Sequence, residues 1–349
     1  MKYATTAVAL AVTASVAALF TFVAAASAQS VESFYRGNTI TVLIAGTPGG
    51  GFDAYSRLMA QHLPRFLPGK PNMVAQNMGG AGGLTLANSL YNVQKRDGTV
   101  IAYVGPIAMQ PLFNPNAPNT KFDPRRFSWI GSLAASQSLL IEWKTGPIQT
   151  PEDLFSKEMV VAGTGAASDT DFYPKFMNSV LGTKFKLITG YVGSQETLKA
   201  IEQGEAHGRF MSYDSLKATR KQMLDDGTIK IVFQNSLKRH PDLPNIVTIV
   251  DIAKSRGKGE DVMEALKFLL APDEMGRPIA GPPEIPADRV AALRAAFAEM
   301  VKDPEYLADA RKRHLEPDLP LDGAGVEALV DEIYKTPKPI VDLVANSMK

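Results

Sequence analysis

Apolar positions along this chain change period in a regular order. Residues 39–45 (TITVLIA) are an almost unbroken apolar, β-branched run, which predicts a buried strand. Turn residues follow from Gly46 to Gly51. Apolar side chains then return at Tyr55, Leu58, Met59, Leu63 and Phe66, the spacing of a helix that Pro64 should kink or end. Asp53 stands where it would cap that helix. A short strand is expected at 73–76, then the turn Gly79-Gly80-Ala81-Gly82-Gly83, a short helix around 84–90, and an apolar strand at 99–104 closed by Gly105 and Pro106. Alternation of strand, glycine turn and helix argues for a parallel α/β sheet.

The same unit recurs further on. Residues 159–162 read as a strand and 163–168 (GTGAAS) as a loop, with Asp169 and Asp171 preceding Phe172, Phe176, Val180 and Leu181. Ala45-Gly46-Thr47 and Ala162-Gly163-Thr164 correspond, so we read two related strand–loop–helix units, one per lobe. Further strands are expected at 186–191, 210–213 and 230–233, and helices at 195–203 and 216–224. Later come a charged surface segment at 254–261, a helix at 262–270 and a Pro/Gly-rich extended stretch at 272–286. A helix capped by Asp288 carries Val290, Leu293, Phe297 and Val301 on one stripe. Two more helices, 304–314 and 325–335, complete the cladding of the lobes.

The chain has 349 residues, 45% hydrophobic and 21% charged, an ordinary globular balance. That length suits two domains of roughly 150 residues each, with room for a cleft between them. Lys and Arg total 37 against 36 Asp and Glu, so electrostatics give no reason to expect nucleic acid or anionic lipid as a partner. There is no Cys, which excludes disulfides, thiolate metal sites, Cys nucleophiles and a lipid on Cys. Residues 1–28 begin Met1-Lys2, carry no charge from 4 to 26, and end Ala26-Ser27-Ala28. They predict a signal peptide cleaved after Ala28 and, in a Gram-negative cell, export to the periplasm. A retained anchor is the alternative, since the apolar stretch is long enough to span.

Enzyme chemistry finds little support. The four His (His62, His207, His240, His314) sit in no HExxH or other spaced pair, and no G-x-S-x-G occurs. Gly49–Gly51 lacks the Gly-Lys-[Ser/Thr] of a phosphate loop and does not fit G-x-G-x-x-G. No catalytic residue, metal or cofactor is therefore assigned. Binding is better supported. A glycine turn running into a helix presents backbone N–H groups and the positive end of the helix dipole, both favouring an anion, and glycine lets a ligand approach the backbone. Two such turns across a cleft would hold a carboxylate without an Arg. Four or five hydrogen bonds of about 1.5–3 kcal/mol each would leave roughly micromolar affinity after desolvation. The alternative is that these glycines only make tight turns between strand and helix.

The ordered series ITVLIAGTPGGGFDAYSRLMAQHL, NMGGAGG, DGTVIAYVGP, VVAGTGAASDTDFYPKFM, ITGYVGSQETLKAIEQGEAHG and IPADRVAALRAAFAEMVKDPEYLADARK, behind an export signal, resembles the substrate-binding receptors of tripartite tricarboxylate transporters, the Bug family. The resemblance covers nearly the whole mature chain. It implies a two-lobed, periplasmic-binding-protein-like α/β fold, each lobe a mainly parallel sheet flanked by helices, with a hinge and a ligand cleft between the lobes. It implies capture of an organic anion, often a di- or tricarboxylate, for delivery to large and small membrane subunits of a transporter, by a chain expected to be a monomer.

Carried over by position, the first-lobe site is Gly49, Gly50, Gly51, Phe52 and Asp53, with Gly105 and Pro106 at the same edge. The second lobe contributes Thr164, Gly165, Ala166, Ser168 and Asp169, then Tyr191, Gly193 and Ser194, and Asp214 after a short strand. Glycine N–H groups and the hydroxyls of Thr164, Ser168 and Ser194 would donate. Asp53 and Asp169 would cap helices or orient water, and Tyr191 would wall the cleft. Three departures from the family pattern bear on the pocket. Gly46 replaces an aromatic residue, Phe52 replaces Thr, and Asp169 and Asp171 occupy a region usually richer in Ser and Gly and followed by His. A monocarboxylate, an aromatic acid or a ligand with a positive group thus stays open beside a dicarboxylate. Residues 29–135 and 236–349 should form the first lobe and 136–235 the second. An exported α/β enzyme using the same cleft, or a receptor of another transporter class, remains the alternative.

Overall fold

The computed structural model describes residues 30–105, 107–113 and 119–348; the expected signal segment and Pro106 lie outside the described residues. The TITVLI run forms β1 (Thr39–Ile44), with Ile40, Val42, Leu43 and Ile44 buried as the unbroken apolar pattern requires. Glycine turns and helices then lead to β2 (Asn72–Asn77) and β3 (Val100–Tyr103), both parallel to β1. β4 (Ser128–Ser132) follows, and the chain crosses to a second sheet at β5 (Ser138–Trp143). That sheet is completed by β6 (Met159–Ala162), β7 (Phe185–Ile188), β8 (Gly208–Ser212) and β9 (Ile229–Asn235). After β9 the chain returns to the first sheet as β10 (Pro278–Gly281) and β11 (Leu321–Asp322). Strand order is β11-β4-β10-β3-β1-β2 in one sheet and β7-β6-β8-β5-β9 in the other.

Two α/β sheets flanked by helices are as expected, but each sheet is mixed where mainly parallel ones were expected. β10 runs antiparallel to β3 and β4, β11 to β4, and β5 to β8 and β9. The cause is the crossing. A strand arriving from the other sheet enters its new neighbour from the opposite end, whereas a strand returning through its own helix must run parallel. The two parallel units do correspond: β1, the Gly51–His62 helix and β2 match β6, the Asp169–Phe176 helix and β7.

The apolar interior is continuous between the sheets. One cluster joins Leu43, Val100 and Trp129 of the first sheet to Phe210 and Phe233 of the second, and to Phe172 on the Asp169–Phe176 helix, through the Glu260–Met275 helix. The Lys338–Ser347 helix packs across that helix on the same side. A second cluster, with Tyr55, Leu58, Phe297 and Tyr306, covers the other face of the first sheet. Directly after β9, Thr248 bridges to Gln234 and the Ile249–Ser255 helix packs on β9, so this segment stays against the second sheet before the chain returns.

Candidate functional site

The two sheets direct their loop ends at a common cleft. Five helices begin there: Gly51–His62, Leu84–Asn92, Asp169–Phe176, Ser194–Glu202 and Tyr213–Asp225. The residue preceding or opening each one lines the cleft, namely Gly50, Gly83, Ser168, Gly193 and Ser212. The first turn of a helix leaves N–H groups without intrahelical partners and carries about half a positive charge. Five such ends pointed at one space make it favourable for negative charge.

Two of the turns are braced in the same way. In the first, Gly50 precedes the helix and Asp53 stands three residues later, buried. Its Oδ2 accepts from the Gly49 N–H at 3.0 Å, and its Oδ1 accepts from Arg57 Nε at 2.8 Å and Asn77 Nδ2 at 3.0 Å. Burial pushes this carboxyl up, but the bonds from Arg57, Gly49 and Asn77 outweigh it and hold the carboxyl below the usual range. In the second, Asp171 holds the equivalent place after Ser168. It accepts from the Gly165 N–H at 2.9 Å and from the Thr189 hydroxyl. Asn77 ends β2 and Thr189 follows β7, so each turn is tied to the next parallel strand. Asp53 thus reaches back to its loop and does not cap its helix, a correction to the sequence reading. Ser168 caps the second helix, accepting from the Thr170 N–H, and Asp169 Oδ1 accepts from the same N–H at 2.8 Å.

Glycines let the two sides meet. A Cβ on Gly193 would lie 2.3 Å from Thr47 Oγ1, and one on Gly82 would lie 2.4 Å from the Ser168 nitrogen. Thr47 Oγ1 also donates to Glu196 Oε2 at 3.2 Å, and Gln110 Nε2 to the Ala167 carbonyl at 3.2 Å. The cleft is closed at these points.

The cleft also holds charged side chains that sequence reasoning missed. Arg277 sits immediately before β10, placed by Gly276 at φ +54, whose Cβ would lie 2.0 Å from the Ala134 carbonyl oxygen. Its guanidinium, 2% exposed, donates to Asp214 Oδ2 from Nε at 3.1 Å, and to Ser212 and Ser215 hydroxyls from Nη2 at 2.7 and 3.1 Å. Asp214 stands in the first turn of the helix after β8, so this pair joins the two sheets beneath the cleft. Arg209, on β8, is 4% exposed and lines the cleft. Its Nε donates to the Phe210 carbonyl at 2.9 Å, and its Nη1 to the Ser194 carbonyl at 3.1 Å and to Thr197. No carboxylate lies within ion-pair distance of it among the described residues. Burial lowers its pKa to about 10, against the opposing pull of Asp169, so it stays charged at neutral pH. Asp273 and Ser138 line the cleft as well.

Among the expected site residues, Gly50, Gly51, Phe52, Thr164, Ser168, Asp169, Gly193 and Ser194 line the cleft. Gly49, Asp53, Gly165 and Asp214 lie behind that surface, the first three in turn bracing and Asp214 under Arg277. Gly105 sits beside the Phe52 ring, Ala166 is exposed, and the Tyr191 hydroxyl donates to Glu205 Oε2 at 3.0 Å. Val192 takes the lining position expected of Tyr191. The signal that marked Arg209 was present: a single charge inside the short buried strand β8.

No family model matches the sequence. Among curated proteins, a UPF0065 protein of Pseudomonas sp. (strain P51), from the tcbD-tcbE intergenic region, is 22% identical over 317 residues, covering 83% of this chain and 86% of that protein. A UPF0065 protein of Agrobacterium vitis, from the TAR-I ttuE-ttuC′ intergenic region, is 28% identical over 174 residues; the match spans 46% of this chain and 47% of that protein, about half its length. Among solved structures, the periplasmic binding protein BugD superposes with a TM-score of 0.69 at 19% identity, covering 90% of this chain and 98% of BugD. MatC from Rhodopseudomonas palustris with bound malate superposes with a TM-score of 0.66 at 19% identity, covering 87% and 99%. The chain is similar in sequence to UPF0065 proteins and has the fold of BugD and MatC.

Gly46 and Phe52 meet in the structure. The Phe52 ring lies against Gly46, whose Cβ would be 3.6 Å from Phe52 Cδ2. It tilts on Tyr103 at 4.5 Å between centroids, with the Arg277 guanidinium 5.4 Å from its own. The Phe52 ring thus fills the space beside Gly46, next to a buried cation.

Proposed function

We propose that this chain is a periplasmic solute receptor that closes on a small organic anion, a carboxylate, and delivers it to the large and small membrane subunits of a tripartite tricarboxylate-type transporter. One observation carries the reading: the buried Arg209, with no carboxylate within ion-pair distance among the described residues, lines a cleft onto which five helix N-termini open. A desolvated cation in a field of that sign is stabilised by an incoming anion. MatC holds malate and an R. palustris neighbour, Rpa4515, holds adipate, which supports the carboxylate class. The protein acts as a monomer after removal of residues 1–28. Its hinge lies at the two crossings, near residues 135 and 236, where ligand contacts to both sheets stabilise the closed form.

A melting panel of aliphatic and aromatic acids, with sugars and amines alongside, tests this. At least one acid is expected to raise the melting temperature, by about 2.7 kcal/mol of stabilisation at a hundred times its Kd, and to be recovered unchanged. Shifts from sugars or amines alone would overturn the carboxylate reading, and turnover would make the protein an enzyme.

Closure has its own test. Gly193 has φ −172, open to any residue, and Ser is a good residue before a helix. Gly193→Ser plants a Cβ against Thr47 across the cleft. The ligand-free melt should change little, while affinity for the acid falls roughly tenfold or more as the closed form becomes a minor state. Calorimetric titration reads the result, and an unchanged Kd would mean that binding does not need this approach.

A further inference from the structure

The cleft holds more negative charge than capture of a plain carboxylate explains. Asp169 and Asp273 both line it, each only half-buried. Tyr173 Oη donates to both carboxylate oxygens of Asp273, at 3.2 and 3.3 Å, and the Ser138 N–H donates to the same group. The Asp169 charge acts on Asp273. Arg209 and Arg277 both act on Asp169, and Arg277 on Asp273, but burial outweighs them. Arg277 is committed to Asp214, and Arg209 makes no ion pair with either carboxyl among the described residues. Burial pushes both carboxyls above the usual range, and the charge of Asp169 raises Asp273 further.

A second observation lies beside them. Ser138 is 3% exposed, lines the cleft, and its hydroxyl has no hydrogen-bond partner among the described residues. It opens β5 directly opposite Ser212, at the crossing between the sheets. Two carboxylates and a hydroxyl are three acceptors, and a primary ammonium has three N–H donors.

Resting on the carboxylate reading above, we propose that the ligand carries an amine as well as a carboxylate, its ammonium held by Asp169, Asp273 and the Ser138 hydroxyl and its carboxylate by the helix N-termini and Arg209. The ligand class is then the amino acid or another short zwitterion. A zwitterion suits both halves of the cleft at once. A plain diacid leaves Asp169 and Asp273 facing further negative charge.

Matched acids differing only by the amine test this by calorimetric titration: succinate against aspartate, glutarate against glutamate, propionate against β-alanine, and benzoate against 4-(aminomethyl)benzoate. In at least one pair the amine-bearing member should bind about tenfold tighter or more, the scale of a charge-assisted hydrogen-bond set. That gap should collapse in Asp273→Asn and in Asp169→Asn, and shrink in Ser138→Ala, which keeps the backbone donor to Asp273. Ligand-free melts of the three variants identify any that misfold, and Ser138→Ala serves as the mildest. Equal or tighter binding of the plain acid in every pair overturns the proposal. A preference that survives all three variants removes these residues from it. Binding by no acid of either kind brings down the carboxylate reading itself, a different result from binding by plain acids alone.

Discussion

Arg209→Met is expected to weaken binding of the cognate acid by about a hundredfold, roughly 3 kcal/mol, since removing one member of a desolvated charge pair costs about 2–5 kcal/mol. The argument rests on what the guanidinium does without ligand. Its Nε and Nη1 are fixed by the Phe210 and Ser194 carbonyls and by Thr197. It is held in place, and Asp169 acts on it without coming within ion-pair distance, so burial still lowers its pKa. The ligand-free protein therefore carries an unfavourable buried charge that the anion relieves. Met fills similar volume, so ligand-free stability should change by no more than about 1 kcal/mol, because removing the buried charge offsets the lost hydrogen bonds. Arg209→Lys should fall between, keeping the charge without the fork that meets a carboxylate in two places. Titration calorimetry of the three proteins with one acid decides it. Unchanged affinity in Arg209→Met would place the anion elsewhere in the cleft.

Arg277→Met should act on folding. Arg277 and Asp214 are both buried and paired across the two sheets, and breaking such a pair leaves a charge with no counter-ion, at a cost of about 3–5 kcal/mol. Urea denaturation should show that loss. Arg277→Met with Asp214→Leu should recover much of it, because no charge is then stranded. The dependence on pH has a definite sign. Burial pushes the Asp214 carboxyl up, but the Arg277 charge and hydrogen bonds, with Ser212, outweigh it and hold it below its ordinary value. A carboxyl lower in the folded state contributes stability above its unfolded pKa, about 3.9, and that contribution disappears as pH falls through the folded value. Arg277→Met should remove this part of the acid limb. Asp169 and Asp273, raised by burial, act in the opposite direction, and their contribution is lost as pH rises.

What the sequence determined by itself followed local period, although the Ile249–Ser255 and Lys338–Ser347 helices were not read from it. β1, β6 and the helices after them were legible because a strand inside a parallel unit is bounded by its own glycine turn and helix, and apolar spacing switches from continuous to helical at a definite residue. The turns at Gly49–Gly51 and 163–168 were legible for the same reason, and so was the correspondence between the units. β4, β5, β10 and β11 were missed. β4 and β5 flank the first crossing between the sheets with no helix between them, and β10 and β11 are only four and two residues long, too short for a period to show. Missing them is also why mainly parallel sheets were expected, since every antiparallel pairing uses one of these four.

Only the tertiary structure decided the charge in the cleft. Asp214 and Arg277 are 63 positions apart, and nothing local separates a buried ion pair from two solvated charges. The closed approach of Gly193 to Thr47 likewise joins elements from opposite sheets. Local sequence specifies backbone geometry through short-range sterics and burial. A charge acquires its chemistry from what is desolvated beside it, and at Arg209, Asp169 and Asp273 that is set by the crossing of the chain between two sheets.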